Sequence, residues 1–307
     1  GFDSDNWDQV LDGGSLCFAC SWTGGCVSAW GSGIAGGHAI GLQSTRPPQL
    51  KNDARFGTGL VAMEICCSAP VVGLLQRSQI ARGINMTRVL NSVSRMPESG
   101  DVTSAVIFLH GYGANGADLM GLADVLTEHM PDTMFLAPDA PENTALSPMG
   151  LQWFPIPWID GSSEEDSANG LRAAALDLEA YLDGVMVDYD LLPEQVIIFG
   201  FSQGTMMALH VAPRRQDPVA GVVAFSGRLL EHELLVDEVT SFMPILLVHG
   251  DEDDVVPIDA LPHAAEGLEA AGFRDVYAHV MKGTAHGIGP DGLQVALAFM
   301  RQQLAMD

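Results

Sequence analysis

The sequence predicts an α/β fold, a mostly parallel sheet flanked by helices, and three observations carry that expectation. From residue 100 onward, strand-like apolar runs alternate with helix-like ones, the order expected of a parallel sheet covered on both faces. The pentapeptide Gly200-Phe201-Ser202-Gln203-Gly204 lies between one such apolar run, 196–200, and a helix-like run, 205–211. Residue types suited to chemistry recur at the C-terminal ends of the strand candidates, where open α/β sheets place their ligands.

In chain order, the strand candidates are 105–109, 134–137, 196–199, 219–225, 245–248 and 276–280, and the helix candidates are 117–129, 164–187, 203–212, 260–271 and 293–304. Each strand candidate is a short run rich in Val, Ile, Leu and Phe. Residues 142–161 break the alternation. This segment holds Pro148, Trp153, Phe154, Pro155, Pro157 and Trp158, and its length and irregularity suggest a pocket wall or small cap, with an aromatic-proline plug over the core as the alternative.

A chain of 307 residues with 47% hydrophobic and 17% charged residues has ample material for a full core. Its composition divides near residue 85. All five cysteines (Cys17, Cys20, Cys26, Cys66, Cys67) precede that point, and residues 1–85 hold 5 Lys/Arg and 6 Asp/Glu, which leaves 9 and 33 for residues 86–307. The second part therefore carries about −24 of the total −25. We read residues 1–85 as an appended N-terminal extension, dispensable for activity, and residues 86–307, which open Met-Thr-Arg-Val-Leu, as the catalytic domain. Cys17-x-x-Cys20 has no second ligand pair at useful spacing, so no metal site is expected. The apolar stretch 59–75 is interrupted by Glu64 and Pro70 and is too short for a membrane span. A strongly negative charge opposes nucleic acid and anionic lipid surfaces. The absence of cysteine from residues 86–307 suits the cytoplasm.

A serine in a tight strand-to-helix turn presents its hydroxyl to solvent, and glycines two residues to either side let neighbouring backbone approach. Ser202 is accordingly the candidate nucleophile. The run from Pro244 to Pro257 ends an apolar strand in a loop crowded with carboxylates, Asp251, Glu252, Asp253 and Asp254. Asp253 is the expected acid, because it stands midway between His249 and Pro257, where the loop can turn; Asp251 and Asp254 are the alternatives. Among nine histidines, His286 lies on the flexible loop Gly283-Thr-Ala-His-Gly287, after both nucleophile and acid. A neutral imidazole there could take the Ser202 proton while the acid holds its other nitrogen. The apolar run 106–109 leads into His110-Gly-Tyr-Gly113, a Gly-rich turn without the G-K-[ST] of a phosphate loop. The backbone amides of Tyr112 and Gln203 are the expected oxyanion donors.

These motifs, His110-Gly-Tyr-Gly113, Gly200-Phe-Ser-Gln-Gly204, His249-Gly-Asp-Glu-Asp253 with Val256-Pro257, and Gly283-Thr-Ala-His286, occur in an order that resembles the phospholipase/carboxylesterase family of α/β-hydrolases. That family includes small bacterial carboxylesterases and acyl-protein thioesterases. The likeness spans about residues 86–307 and extends to Leu136-Ala-Pro-Asp-Ala-Pro141 and to Trp153-Phe154. Asp254 departs from it, standing where the family often has proline. The resemblance implies an α/β-hydrolase fold without a large lid domain, a Ser202–Asp253–His286 triad, and a substrate site near Trp153 and Phe154; as apolar aromatic residues near that site, these two and Phe201 are expected to line an acyl pocket.

The expected function is that of a serine carboxylesterase acting on short- to medium-chain esters through an acyl-enzyme, with no cofactor. An acyl-protein thioesterase or lysophospholipase on the same triad is the alternative; a serine peptidase and a non-catalytic binding module are the remaining readings. The expected partner is a small ester, and a homodimer is left open.

Overall fold

The computed structural model describes residues 87–144 and 149–306. The proposed extension, residues 1–85, lies outside them, as do its cysteines. Strands β1 (Ser92–Arg95), β2 (Ser104–Leu109), β3 (Thr133–Pro138), β6 (Val196–Phe201), β7 (Gly221–Phe225), β8 (Ile245–Gly250) and β9 (Val276–Met281) form one sheet, in the order β1-β3-β2-β6-β7-β8-β9. β1 runs antiparallel to β3, and every other neighbouring pair is parallel. A separate two-stranded hairpin pairs β4 (Glu142–Asn143) with β5 (Leu151–Gln152).

The helices are α1 (Gly116–Leu126), the single turn α2 (Pro157–Asp160), α3 (Glu164–Asp188), α4 (Gln203–Val211), α5 (His232–Glu238), α6 (Ala260–Ala270) and α7 (Pro290–Gln303). Successive residues of a strand point to opposite faces of a sheet, and the two cores follow that period of two. Ile107, Leu109, Ile198, Val222, Ala224 and Leu247 pack against α3, α4 and α6. Val106, Phe108, Ile197, Phe199, Val223 and Val248 pack against α1 and α7. On this second face, Phe108, Phe135, Phe199 and Phe225 form a run of ring contacts with centroids 5.1–5.8 Å apart.

Helix ends follow local chemistry. The Asn115 side chain accepts from the Ala117 amide while Asp118 reaches back to the Asn115 amide, which closes the start of α1. Ser163 accepts from Asp166 at the start of α3, whose first turn carries Glu164, Glu165 and Asp166 against the positive end of the helix dipole. Along α3, Leu171, Ala174, Leu178, Leu182 and Val185 recur every three or four residues and form its buried stripe.

The sequence left five elements unassigned: β1, β4, β5, α2 and α5. β1 reads Ser-Val-Ser-Arg, is mostly exposed, and owes its strand state to pairing with β3 rather than to an apolar pattern. Residues 142–161, expected to be irregular, hold the hairpin β4–β5 and α2. Among the described residues, no helix is long and apolar enough to cross a membrane.

Candidate active site

The site begins where β6 gives way to α4. Ser202 occupies that turn with φ 55° and ψ −115°, a conformation strained for any L-residue. Its amide donates to the Phe225 carbonyl at 2.9 Å, and its own carbonyl accepts from Met206 at 3.2 Å, so backbone bonds on both sides hold the turn. The flanking glycines are sterically required. A Cβ on Gly200 would lie 2.5 Å from the Thr205 amide nitrogen, and one on Gly204 would overlap the Leu109 carbonyl on the adjacent strand. We expect Gly204→Ala to destabilise the protein by at least about 2 kcal/mol, since backbone must move to admit the methyl group; a urea midpoint unchanged from the parent would contradict this packing.

The loop after β2 lies directly beside this turn. Gly111 sits so close that a Cβ there would stand 3.2 Å from the Ser202 Cβ. His110, fully buried, holds the loop: the Ala140 amide donates to its Nε2 at 3.0 Å, so the proton resides on Nδ1, which donates to the Gly111 carbonyl at 2.8 Å. Burial pushes the His110 pKa down and keeps the ring neutral, despite the opposing pull of the Gly111 carbonyl and nearby carboxylates. Gly113 donates to Leu151 and Leu151 donates to Ala114, which seats the loop on the hairpin. Among the described residues, neither the Tyr112 nor the Gln203 amide has a hydrogen-bond acceptor. The Gln203 side chain is fully committed, its Oε1 accepting from the Trp153 amide at 2.9 Å and its Nε2 donating to the Phe154 carbonyl at 2.7 Å.

The loop after β8 presents Asp253. One carboxylate oxygen accepts from the Val255 and Val256 amides at 3.0 and 2.8 Å, and the other lies 2.8 Å from His286 Nδ1 and 3.4 Å from His249 Nε2. Burial opposes ionisation of Asp253, but the bonds from His286 and the two amides outweigh it and hold the carboxyl below the usual aspartate range. A carboxylate only accepts, so His286 Nδ1 carries a proton, an arrangement that in the neutral ring leaves the lone pair on Nε2. The His286 ring lies over Phe201, centroids 4.9 Å apart, and so beside the residue that precedes Ser202. No hydrogen bond joins Ser202 Oγ to His286 in this geometry. Catalytic hydrogen bonds often tighten only once substrate is bound.

The depressed pKa of Asp253 ties it to stability. A carboxyl whose folded pKa lies below its unfolded value, near 3.9, contributes stability that is present above that value and lost as pH falls through the folded pKa. Unfolding free energy should therefore decline in acid below about pH 4, and Asp253→Asn should flatten that decline; an equally steep decline in the variant would assign the acid sensitivity elsewhere.

Of the three carboxylates considered for the acid, Asp253 is the one bonded to His286. Asp251 instead accepts from the Gly283 amide at 2.7 Å and pairs with Lys282, and Asp254 is exposed. Among the described residues, no other histidine but His249 contacts Asp253. His210 is buried, with its pKa pushed down to about 4 by burial and then by Arg214; His279 pairs with Asp291 at 3.0 Å; and His232 and His263 are exposed. Phe201 is half-buried and borders the site.

Trp153 and Phe154, expected to line the acyl pocket, are 0% and 2% exposed and belong to the core. What they give the site is backbone held by Gln203, together with the Trp153 Nε1 bond to the His110 carbonyl at 3.0 Å. His110 and His249 were quoted in motifs but given no role. His249 Nε2 bonds the Val256 carbonyl at 2.8 Å and so closes the turn that aims Asp253. Among the described residues, no cluster of three or more His, Cys, Asp or Glu side chains is placed to hold a metal ion.

A family model described as phospholipase/carboxylesterase matches residues 94–304. Acyl-protein thioesterase 1 of Saccharomyces cerevisiae is 32% identical over 214 residues, covering 65% of this chain and 92% of that protein. Acyl-protein thioesterase 1 of Gibberella zeae is 27% identical over 225 residues, covering 68% and 94%. Among solved structures, esterase PE8 matches with a TM-score of 0.67 and 38% identity, covering 71% of this chain and all of that one.

Proposed function

Because this chain belongs to the phospholipase/carboxylesterase family, within which its relatives are esterases and thioesterases, we propose that it is a serine carboxylesterase of short- to medium-chain esters. The observation that carries this reading is the convergence of a strained serine, two amides without acceptors and an Asp-bound imidazole at one end of the sheet. Ser202 Oγ attacks the ester carbonyl as its proton passes to His286 Nε2. The carbonyl oxygen, now negative, accepts from the Tyr112 and Gln203 amides, which no other acceptor among the described residues holds. The imidazolium, stabilised by Asp253, returns the proton to the departing alcohol. Water then repeats the sequence on the acyl-serine and frees the acid.

No cofactor enters this scheme. The same acyl-enzyme serves a thioester, and a thioesterase reading draws support from relatives named acyl-protein thioesterase that align over nearly their whole lengths. The deciding experiment compares kcat/KM across 4-nitrophenyl esters of two to sixteen carbons with that for long acyl thioesters. A maximum among the short esters supports the carboxylesterase. A clear preference for long thioesters replaces it with the second reading.

A further inference from the structure

We propose that Arg228 reads a negative charge on the substrate, so that this site favours esters carrying a carboxylate a few bonds from the scissile carbonyl. The proposal deepens the esterase reading and rests on it. Five arginines among the described residues pair with carboxylates: Arg88 with Asp177 and Glu142, Arg95 with Asp124, Arg172 with Glu231, Arg214 with Glu238 and Arg215 with Asp183. Arg228 has no carboxylate partner among the described residues. In a chain of net charge −25, such a guanidinium, carried by the residue after one packed on the Ser202 backbone, is a local reversal of the surrounding field.

Its position follows from the strand register. Phe225 pairs with Phe201 across β6 and β7, and the backbone at Gly227 packs so tightly that a Cβ there would stand 2.8 Å from the Ser202 carbonyl oxygen. Arg228, the next residue, is half-buried and carries its guanidinium over the Trp158 ring, 5.3 Å from the centroid. Trp158, 59% exposed, lies on α2. The same turn supplies Asp160, which accepts from the Tyr112 hydroxyl at 3.4 Å. The rim thus runs from Tyr112 through α2 to Arg228.

A cation seated on an aromatic face gives up little of its ability to donate in the ring plane, and the planar guanidinium matches a carboxylate with two parallel bonds. Asp160 does not compete for it, because its oxygens serve the Ile156 and Ser162 amides and the Tyr112 hydroxyl. Beyond Arg228 opens a cleft of about 760 Å³ whose lining includes Glu231, Asp259 and Glu266. Those carboxylates repel an anionic tail and so stop its charge at Arg228.

The test uses the full chain and two ethyl esters: the monoethyl ester of adipic acid, and its neutral counterpart with a primary amide in place of the free carboxylate. Hydrolysis of both is followed by pH-stat. Wild type is expected to favour the anionic ester, and Arg228→Gln to lower the anionic-to-neutral ratio of kcat/KM about tenfold with little change for the neutral ester. Arg228→Lys, which keeps the charge but loses the fork, should fall between the two, and added salt should erode the wild-type preference. An unchanged ratio in Arg228→Gln, or an equal loss on both esters, overturns the proposal. Ser202→Ala on the neutral ester separates this outcome from failure of the esterase reading, since that variant abolishes neutral turnover only if Ser202 is the nucleophile.

Discussion

Ser202→Ala is expected to lower kcat for ester hydrolysis by about 10⁵- to 10⁶-fold, down to whatever the oxyanion donors and binding alone supply. The magnitude follows from the chemistry assigned to the residue. Without the hydroxyl there is no acyl-enzyme, and general-base attack by water must take over in a site arranged around a serine oxygen. The fold should survive. Ser202 holds its turn through backbone bonds to Phe225 and Met206, and its side chain makes no hydrogen bond among the described residues. The φ of 55° is as available to alanine as to serine only at a cost both residues share, so the strain difference is small. Near-parental turnover in a folded variant, judged by circular dichroism and the urea midpoint, would remove Ser202 from the mechanism.

Asp253→Asn is the second large effect, expected to reduce kcat by about 10⁴-fold near neutral pH. An amide in this place can still accept from the Val255 and Val256 amides through its oxygen, so the loop keeps its shape. Its nitrogen then faces His286 Nδ1 as a donor. That contact favours the imidazole tautomer with a lone pair on Nδ1 and the proton on Nε2, where the proton blocks transfer from Ser202. Asp251→Asn and Asp254→Asn serve as controls. Asp251 is occupied with Gly283 and Lys282, and Asp254 is exposed, so each should retain most of its activity. If Asp251→Asn proved the damaging change and Asp253→Asn the mild one, the acid would have to be reassigned despite the 2.8 Å contact.

What the sequence disclosed depended on whether an element was determined locally. The core strands were legible because each is a short apolar run, and α3 because its apolar residues repeat at helical spacing over 25 residues. Boundaries shifted where ends tightened: the helix expected over 117–129 closes as a separate 3₁₀ turn at Thr127–His129. β1 was illegible because a four-residue polar strand at a sheet edge takes its conformation from its neighbour. α5 was missed because His232–Glu238 mixes three apolar residues with four polar or charged ones and buries Leu235 alone.

The same distinction governs the site. The strained turn at Ser202 and the contact between Asp253 and His286 were legible as candidates because a strand-to-helix serine, an acidic loop and a Gly-flanked histidine each leave a short local mark. The jobs of His110, His249 and the Gln203 side chain are long-range: His110 reaches Ala140, and Gln203 reaches residues 153 and 154 across about 50 positions. Residue type alone does not announce such bonds. Trp153 and Phe154 are a further case, since their burial in the core follows from tertiary packing that the local sequence does not show. Here the polar backbone of that pair, not its apolar area, meets the catalytic turn.

The most direct test of the account is covalent. The protein is treated with a 4-nitrophenyl phosphonate ester, which mimics the tetrahedral intermediate and leaves a stable adduct on an activated serine, and the peptides are then mapped by mass spectrometry. The account predicts one adduct, on Ser202, formed in step with loss of activity, and slowed strongly by Asp253→Asn. Inactivation with the adduct on another residue, or full modification of Ser202 with activity intact, would contradict it.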